Sequence, residues 1–365
     1  MRRVLGSVAA VVALVLAGGW LLLGAQARAL AGPLVDDAIG LEARRFELRA
    51  ASDEGSVFEC VGPRADVSPD LSRTLPWLQP EVREVTEGTR AWSELPLEQR
   101  ALAEREFTWL AELLACGRRR LVAPVAGIGP FAAVSHGRRQ TMPRTMDALA
   151  SLGPLQMRAS LERGDVEAAL DVCASTLVLT TAWLRLEGLE SMLATFAPTR
   201  GVLPACREAL SAATPAQRAA FTRRLEDVRD LAPDYAELMR LERTQLALRL
   251  FGAWVPGELD GRLPEAAKDI TRSRRAERWS RGVGATLALR LYWKRFDREL
   301  RAVEAAANLD PASRERDIVA AQDRLASTFL ARFFSAPPVD LKYQLYAGYL
   351  DTLRAQLDGL TAAAR

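Results

Sequence analysis

Arg163-Gly164-Asp165, then Val166-Glu167-Ala168-Ala169-Leu170-Asp171-Val172-Cys173-Ala174-Ser175-Thr176-Leu177-Val178-Leu179-Thr180-Thr181-Ala182-Trp183-Leu184-Arg185-Leu186, is the stretch on which the fold turns. Gly164 reads as the glycine that ends one helix, and Asp165 as the cap that starts the next. From Val172 to Leu184 there is no charged side chain. That charge-free run is too short to cross a bilayer, so it predicts a central helix buried in protein.

The segments on either side carry the same period. Leu155 to Arg163 leads into Gly164, and Pro96 to Cys116 places Leu102, Trp109, Leu113 and nearby apolar residues along one side before a stop at Gly117. Thr214-Pro215-Ala216-Gln217 is a capping box with proline at the first helical position. Phe221, Leu225 and Val228 come next on one face. Asp310-Pro311 repeats that logic for a helix bearing Ile318, Leu325, Phe329 and Phe333. Tyr346, Leu350, Leu353, Leu357 and Leu360 are spaced four, three, four and three, which makes one apolar stripe. Alternation with a period of two is nearly absent after residue 93. The expected fold class is all-α: a single N-terminal transmembrane helix, then an irregular multi-helix bundle or helical-hairpin array of roughly eight to ten helices.

Arg163-Gly164-Asp165-Val166-Glu167-Ala168-Ala169-Leu170 resembles the helix-entry part of a tetratricopeptide repeat, and Asn308-Leu309-Asp310-Pro311 is similar to its inter-repeat turn. The resemblance covers eight residues, with no second clear copy at the repeat interval. It implies helical hairpins rather than a regular array.

Three regions are expected: 1–27 as signal anchor or signal peptide, 28–92 as juxtamembrane stalk and Pro/Gly-rich spacer, and 93–365 as an all-helical extracytoplasmic domain. Val4 to Ala25 is free of charge and meets the roughly 20 residues a membrane helix needs. Arg2 and Arg3 precede it, which points the N-terminus inward. Ala25-Gln26-Ala27 and Ala29-Leu30-Ala31 are acceptable cleavage sites, so a secreted form is the alternative. Pro63, Pro69, Pro76 and Pro80, with Gly55, Gly62 and Gly88, mark 51–91 as irregular, with one short strand at Val57–Val61. Arginine and alanine dominate over lysine, which suggests a GC-rich bacterial genome. The inferred address is the bacterial inner membrane, single-pass, with the body in the periplasm.

In that oxidising compartment Cys60, Cys116, Cys173 and Cys206 can form two disulfides, and pairing of neighbouring segments favours Cys60–Cys116 with Cys173–Cys206. The competing reading makes Cys173 a buried thiol. A net charge of +3 is too small to argue for nucleic acid. The chain's one histidine, His136, rules out a His–His metal site within one chain, and no calcium or phosphate loop is present. Neither a cofactor nor a metal is implied, and no catalytic residue is singled out. Glu190-Ser191 is similar to the Glu-Ser pair of lytic transglycosylases. The segment nearest to their second motif, Gly153-Pro154-Leu155-Gln156-Met157, lies on the wrong side of it.

The remaining candidate is Gly117 to Met146, which holds Arg118, Arg119, Arg120, Arg138, Arg139 and Arg144 without one acid. Guanidinium forks suit phosphate and carboxylate oxygens, so an anionic lipid, a phosphorylated sugar or an acidic envelope partner is the expected contact. The bland reading is helix-end charge beside the dipole of the helix ending at Cys116. A second basic run, Arg272, Arg274, Arg275, Arg278 and Arg281 with Trp279, has the composition of a membrane-surface segment or a solvated helix face. The expected function is a membrane-anchored helical scaffold or interaction module. The alternative is an envelope hydrolase acting on glycan or lipid through unassigned carboxylates.

Overall fold

The structure, a computed structural model, describes residues 8–19, 21–22, 60, 80–118, 138–187, 189–239, 297–306, 309–326 and 342–365. Among them every regular element is helical, so the described protein is all-α. The helices are α1 (Val8–Gly19), α2 (Pro80–Glu87), α3 (Leu97–Cys116), α4 (Arg138–Glu162), α5 (Val166–Glu187), α6 (Leu189–Ala212), α7 (Pro215–Leu231), α8 (Pro311–Ala326) and α9 (Lys342–Ala364). A short 3-10 turn occupies Trp92–Glu94, and residues 297–305 are also helical.

Contacts divide the chain into two compact units. The first takes Met1–Ala43, Gly129–Ala132 and Met239–Asp340; the second takes Arg44–Ile128, Ala133–Leu238 and Leu341–Arg365.

In the second unit α5 packs against α3, α4, α6 and α7, while α9 closes over α6 and α7. Every residue from Val172 to Leu184 is buried. Val166–Leu184 has the length and apolar composition of a membrane span, more than its charge-free run alone suggests. Burial of 78% of that window shows that protein, not lipid, surrounds it. Phe221, Leu225 and Val228 on α7 and the α9 stripe from Tyr346 to Leu360 are buried as their spacing requires.

Local signals place these helices. Gly164 adopts φ +76°. Asp165 N–H donates to Ser160 O at 2.9 Å and Gly164 N–H to Leu161 O at 2.9 Å, a Schellman closure of α4. Asp165 then caps α5 by accepting from Ala168 N–H at 3.0 Å. The Thr214–Gln217 capping box is formed in full. Asp310 accepts from the Ala312 and Ser313 amides to start α8.

Four details differ from the sequence reading. On α3 the fully buried face is Ala103, Phe107, Leu110 and Leu114, together with Leu113, whereas Leu102 and Trp109 are half-buried. Gly117 ends α3 in the right-handed region, φ −72° and ψ −10°, so left-handed backbone is not why glycine sits there. A Cβ at that position would stand 2.7 Å from Ser175 O, and the end of α3 lies directly on α5. Helix α4 begins at Arg138, well before Leu155, and continues through Pro154. Pro154 has no N–H to give Ala150 O. Gly201 of α6 packs against that carbonyl, since a Cβ there would sit 3.1 Å away.

The fourth difference is in the expected spacer. Pro80 opens α2, where a missing N–H has no cost, and Gly88 (φ +78°) closes it. Val85, Trp92 and Leu95 are buried, and the Trp92 ring lies 5.7 Å from that of Phe107. The strand expected at Val57–Val61 lies outside the described residues apart from Cys60, which is helical.

The buried faces of α5 and α6 are rich in hydroxyls, three of which bond to carbonyls of their own helices. Thr180 donates to Thr176 O, Thr195 to Met192 O, and Thr199 to Thr195 O. Thr199 also bonds the Thr180 hydroxyl at 3.2 Å, and the Thr195 hydroxyl lies 3.4 Å from Tyr349 OH on α9. Burial pushes the Tyr349 phenol above its ordinary pKa, against the lowering effect of hydrogen bonds with Thr195 and Thr199.

In the first unit, the described part of the opening apolar run is α1 with residues 21–22. Helix α1 alone is shorter than the roughly 20 residues of a full span.

Candidate functional site

Three of the sequence-predicted site residues, Cys60, Cys116 and Arg118, come together where α3 ends on α5 and α7. Cys60 is bonded to Cys116, the last residue of α3, with Cα atoms 5.6 Å apart. One residue beyond Gly117, Arg118 turns onto Asp171 of α5, donating from Nε at 2.9 Å and from Nη2 at 2.5 Å to Oδ2. Arg224 of α7 reaches the same carboxylate, with Nη1 at 2.6 Å from Oδ1. Its Nη2 donates to Ser175 Oγ at 2.8 Å and to Gly117 O at 3.2 Å.

This is an ionic knot tying three helix segments. Gly117 must lack a side chain for α3 to come close enough, and its carbonyl is then held by Arg224. The hydrogen bond from Arg118 to Asp171 raises the guanidinium pKa above its ordinary value, outweighing desolvation. Both Asp171 oxygens accept from arginine, so the carboxylate is neither a free base nor an open ligand position. The knot's chemistry is cohesion: two guanidiniums and one carboxylate leave one excess positive charge at the rim, where the Arg118 side chain is 59% exposed.

The other predicted positions are scattered. Arg119, Arg120, His136 and the basic run at 272–281 lie outside the described residues. Arg138 and Arg139 are the first two residues of α4. Glu190 and Ser191 fall in the first turn of α6, and Gly153–Met157 lies inside α4. Cys173 and Cys206 are joined between α5 and α6, Cα atoms 5.8 Å apart and both fully buried. Among the described residues no group of three His, Cys, Asp or Glu could hold a metal ion.

Two further attachments fasten the segment before α3. Glu162, at the end of α4, accepts from Ser93 N–H at 3.1 Å. Hydrogen bonds with Ser93 hold this carboxyl below its ordinary range, against a smaller effect of burial. Arg158 pairs with Glu208 and lies against Gly88, where a Cβ would meet the guanidinium at 2.5 Å.

The first unit has its own knot. Glu299, buried, accepts from Arg298 Nη2 at 2.9 Å and from Arg324 Nε of α8 at 2.6 Å. Burial works to raise its pKa, but the two arginines prevail and hold it below the ordinary range.

Sequence reasoning missed Asp171, Arg224, Glu299 and Arg324. A signal for Asp171 was present: it is the acid bordering the charge-free stretch of the core helix. Its partners come from positions 53 residues away in either direction, which spacing rules do not reach. Comparison with known protein families, with characterised proteins and with solved structures returns no match.

Proposed function

We propose that this chain is a membrane-tethered helical scaffold that works by holding a partner at the bacterial envelope, its disulfide-stapled second unit lying on the periplasmic side. The observation that carries the tether is the surface of α1. Val8, Val11, Val12, Leu14, Val15 and Leu16 are 51–72% exposed, and the helix contains only apolar residues. Leaving such a face in water is costly, at about 25 cal/mol per Å² of apolar surface, and lipid removes that cost. Arg2 and Arg3 ahead of it favour an inward N-terminus. The two disulfides support an oxidising address for the second unit. Scaffolding rather than catalysis is supported by the candidate cluster itself, in which Asp171, Arg118 and Arg224 are engaged with one another.

Alkaline-carbonate extraction of membranes, combined with a C-terminal reporter, tests the reading. The expected result is a membrane-retained chain whose C-terminal alkaline phosphatase is active and whose C-terminal green fluorescent protein is dark. A carbonate-soluble chain, or a bright fluorescent fusion, would overturn it.

A further inference from the structure

We infer that α9 is an exchangeable helix, and that two copies of this chain pair by each laying its α9 on the α6–α7 surface of the other. The inference goes beyond the scaffold reading and does not need the tether, because every residue it uses belongs to the second unit. Short connections favour packing of α4, α5, α6 and α7 within one copy: residues 163–165, 188 and 213–214 are all that separate them. Helix α9 stands apart. Residues 232–341 lie between α7 and α9, and Met239–Asp340 of that stretch belongs to the first unit. A connection of that length gives a helix little of the local advantage that a one-residue connection gives its neighbour.

The fastenings divide in the same way. Cys60–Cys116 and Cys173–Cys206 hold α3, α5 and α6, and the Asp171 knot ties α3, α5 and α7. Helix α9 has no cysteine. It docks on α6 and α7 through the buried stripe Tyr346, Leu350, Leu353, Leu357 and Leu360. Two ion pairs at the rim set its polarity and register. Arg229 of α7 meets Asp358, and Asp234 just beyond α7 meets Arg354 at 3.8 Å, so each side offers one charge of each sign. Released from that surface, the helix would leave its stripe in water, and its interior glycines Gly348 and Gly359 make it a poor helix by itself. It therefore needs a complementary surface, and the α6–α7 surface of a second copy is complementary residue for residue. Exchange keeps the contacts of the closed form, so two copies trade like for like.

The test uses the full chain, solubilised in detergent, with Arg229→Cys and Asp358→Cys as reporters. The four native cysteines are paired, so a short bis-maleimide links only the new thiols. A chain carrying both changes reports docking of α9 in either form: the link stays within a monomer when α9 is closed on its own copy and joins a dimer when it is exchanged. Two chains carrying one change each, co-expressed under separate affinity tags, report exchange alone. The expected result is a linked dimer of twice the chain's mass from the co-expressed pair, well above that from either chain by itself. Peptide mapping should place the link between position 229 of one copy and 358 of the other. Asp234→Cys and Arg354→Cys, in the same format, should link across copies as well, since the second rim pair forms on the same docked helix. A linked monomer from the doubly changed chain with no linked dimer from the co-expressed pair overturns the inference. A dimer linked only 229 to 229 or 358 to 358 overturns it too, as does one that links at the first rim pair and not at the second, because these report side contact rather than exchange.

Discussion

Two apolar helices in this protein pass similar tests of composition and end in opposite surroundings. Most of the apolar window of α5 is buried by four neighbouring helices, whereas α1 shows 51–72% of its large side chains. Hydropathy measures dislike of water and is silent on what replaces it. The difference lies in the flanks. Helix α5 opens on Asp165 and carries Asp171, a residue that finds Arg118 and Arg224; α1 comes after Arg2 and Arg3 and bears no polar group for a protein neighbour to engage.

The sharpest way to break that contrast is to place the same charge in each helix. Leu177→Lys would bury an unpaired ammonium in the second unit and is expected to remove more than about 4 kcal/mol, enough to prevent folding. Leu14→Lys combined with Leu16→Lys should leave the unfolding midpoint of the second unit within about 0.5 kcal/mol of the parent. It should make the chain carbonate-extractable, at about 2.5–3.5 kcal/mol per charge in a membrane helix. Loss of second-unit stability in the α1 variant, by denaturant titration, would show that α1 is solvated by protein after all.

Next in size are the staples of the protein-solvated region. Closing loops of 33 and 56 residues removes about 4 kcal/mol of unfolded-chain entropy in each case. Cys173→Ala with Cys206→Ala is expected to lower stability by up to that amount, and Cys60→Ala with Cys116→Ala by a similar amount. Urea titration under non-reducing conditions measures both. A loss under about 1 kcal/mol for either pair would mean that the bond does not constrain the denatured chain.

Gly117→Ala probes the close approach of α3 to α5. The added methyl would stand 2.7 Å from Ser175 O and 2.9 Å from Ser175 Cα, backbone that cannot rotate away. Overpacking combined with displacement of Gly117 O from Arg224 sets an expected loss of about 2–3 kcal/mol. A neutral result in thermal unfolding would place slack in the junction where the structure has none.

The Glu299 knot gives the first unit a pH signature. Its folded pKa lies below the unfolded value of about 4.3, so its contribution is fully present above that value and is lost as pH falls through the folded one. Hydrogen exchange of residues 297–326 should accelerate below about pH 4. Glu299→Gln should reproduce the effect at neutral pH, with a loss of about 1–2 kcal/mol because the Arg298 and Arg324 side chains are 68% and 48% exposed. Unchanged exchange at both pH values would remove the carboxylate from the stability of this helix pair.

How much was legible in the sequence depends on the range of each signal. Gly164-Asp165 and Thr214–Gln217 act within a few residues, and both helix boundaries fall where those residues set them. The α9 stripe is legible because one face repeats over many turns. The α3 face was read only in part because large residues occur on several of its sides: Leu113 is buried as expected, whereas Leu102 and Trp109 are half-buried and Ala103, Phe107, Leu110 and Leu114 complete the buried face. Only the last turns of α4, from Leu155, were read as helix; the helix runs on through Pro154, whose missing N–H cannot reach Ala150 O, and Gly201 lets α6 close on that carbonyl. The Asp171 knot stayed hidden because its partners meet only after α3, α5 and α7 have packed.

The smallest expected effect separates local from tertiary control. Thr214 accepts from Gln217 N–H at 3.3 Å, and Gln217 Oε1 accepts from Thr214 N–H at 2.9 Å. Thr214→Ala removes the side-chain half of that exchange and should cost about 1 kcal/mol, the usual value for a lost cap. The cost should appear as fraying at the start of α7, because Phe221, Leu225 and Val228 hold the rest of the helix through buried contacts. Hydrogen exchange at Ala216 to Ala219 would then rise while that at Leu225 to Val228 stays near the global rate. Uniform acceleration along α7 would instead make the cap a condition for docking the helix, and would move control of this part of the core from packing to a four-residue sequence signal.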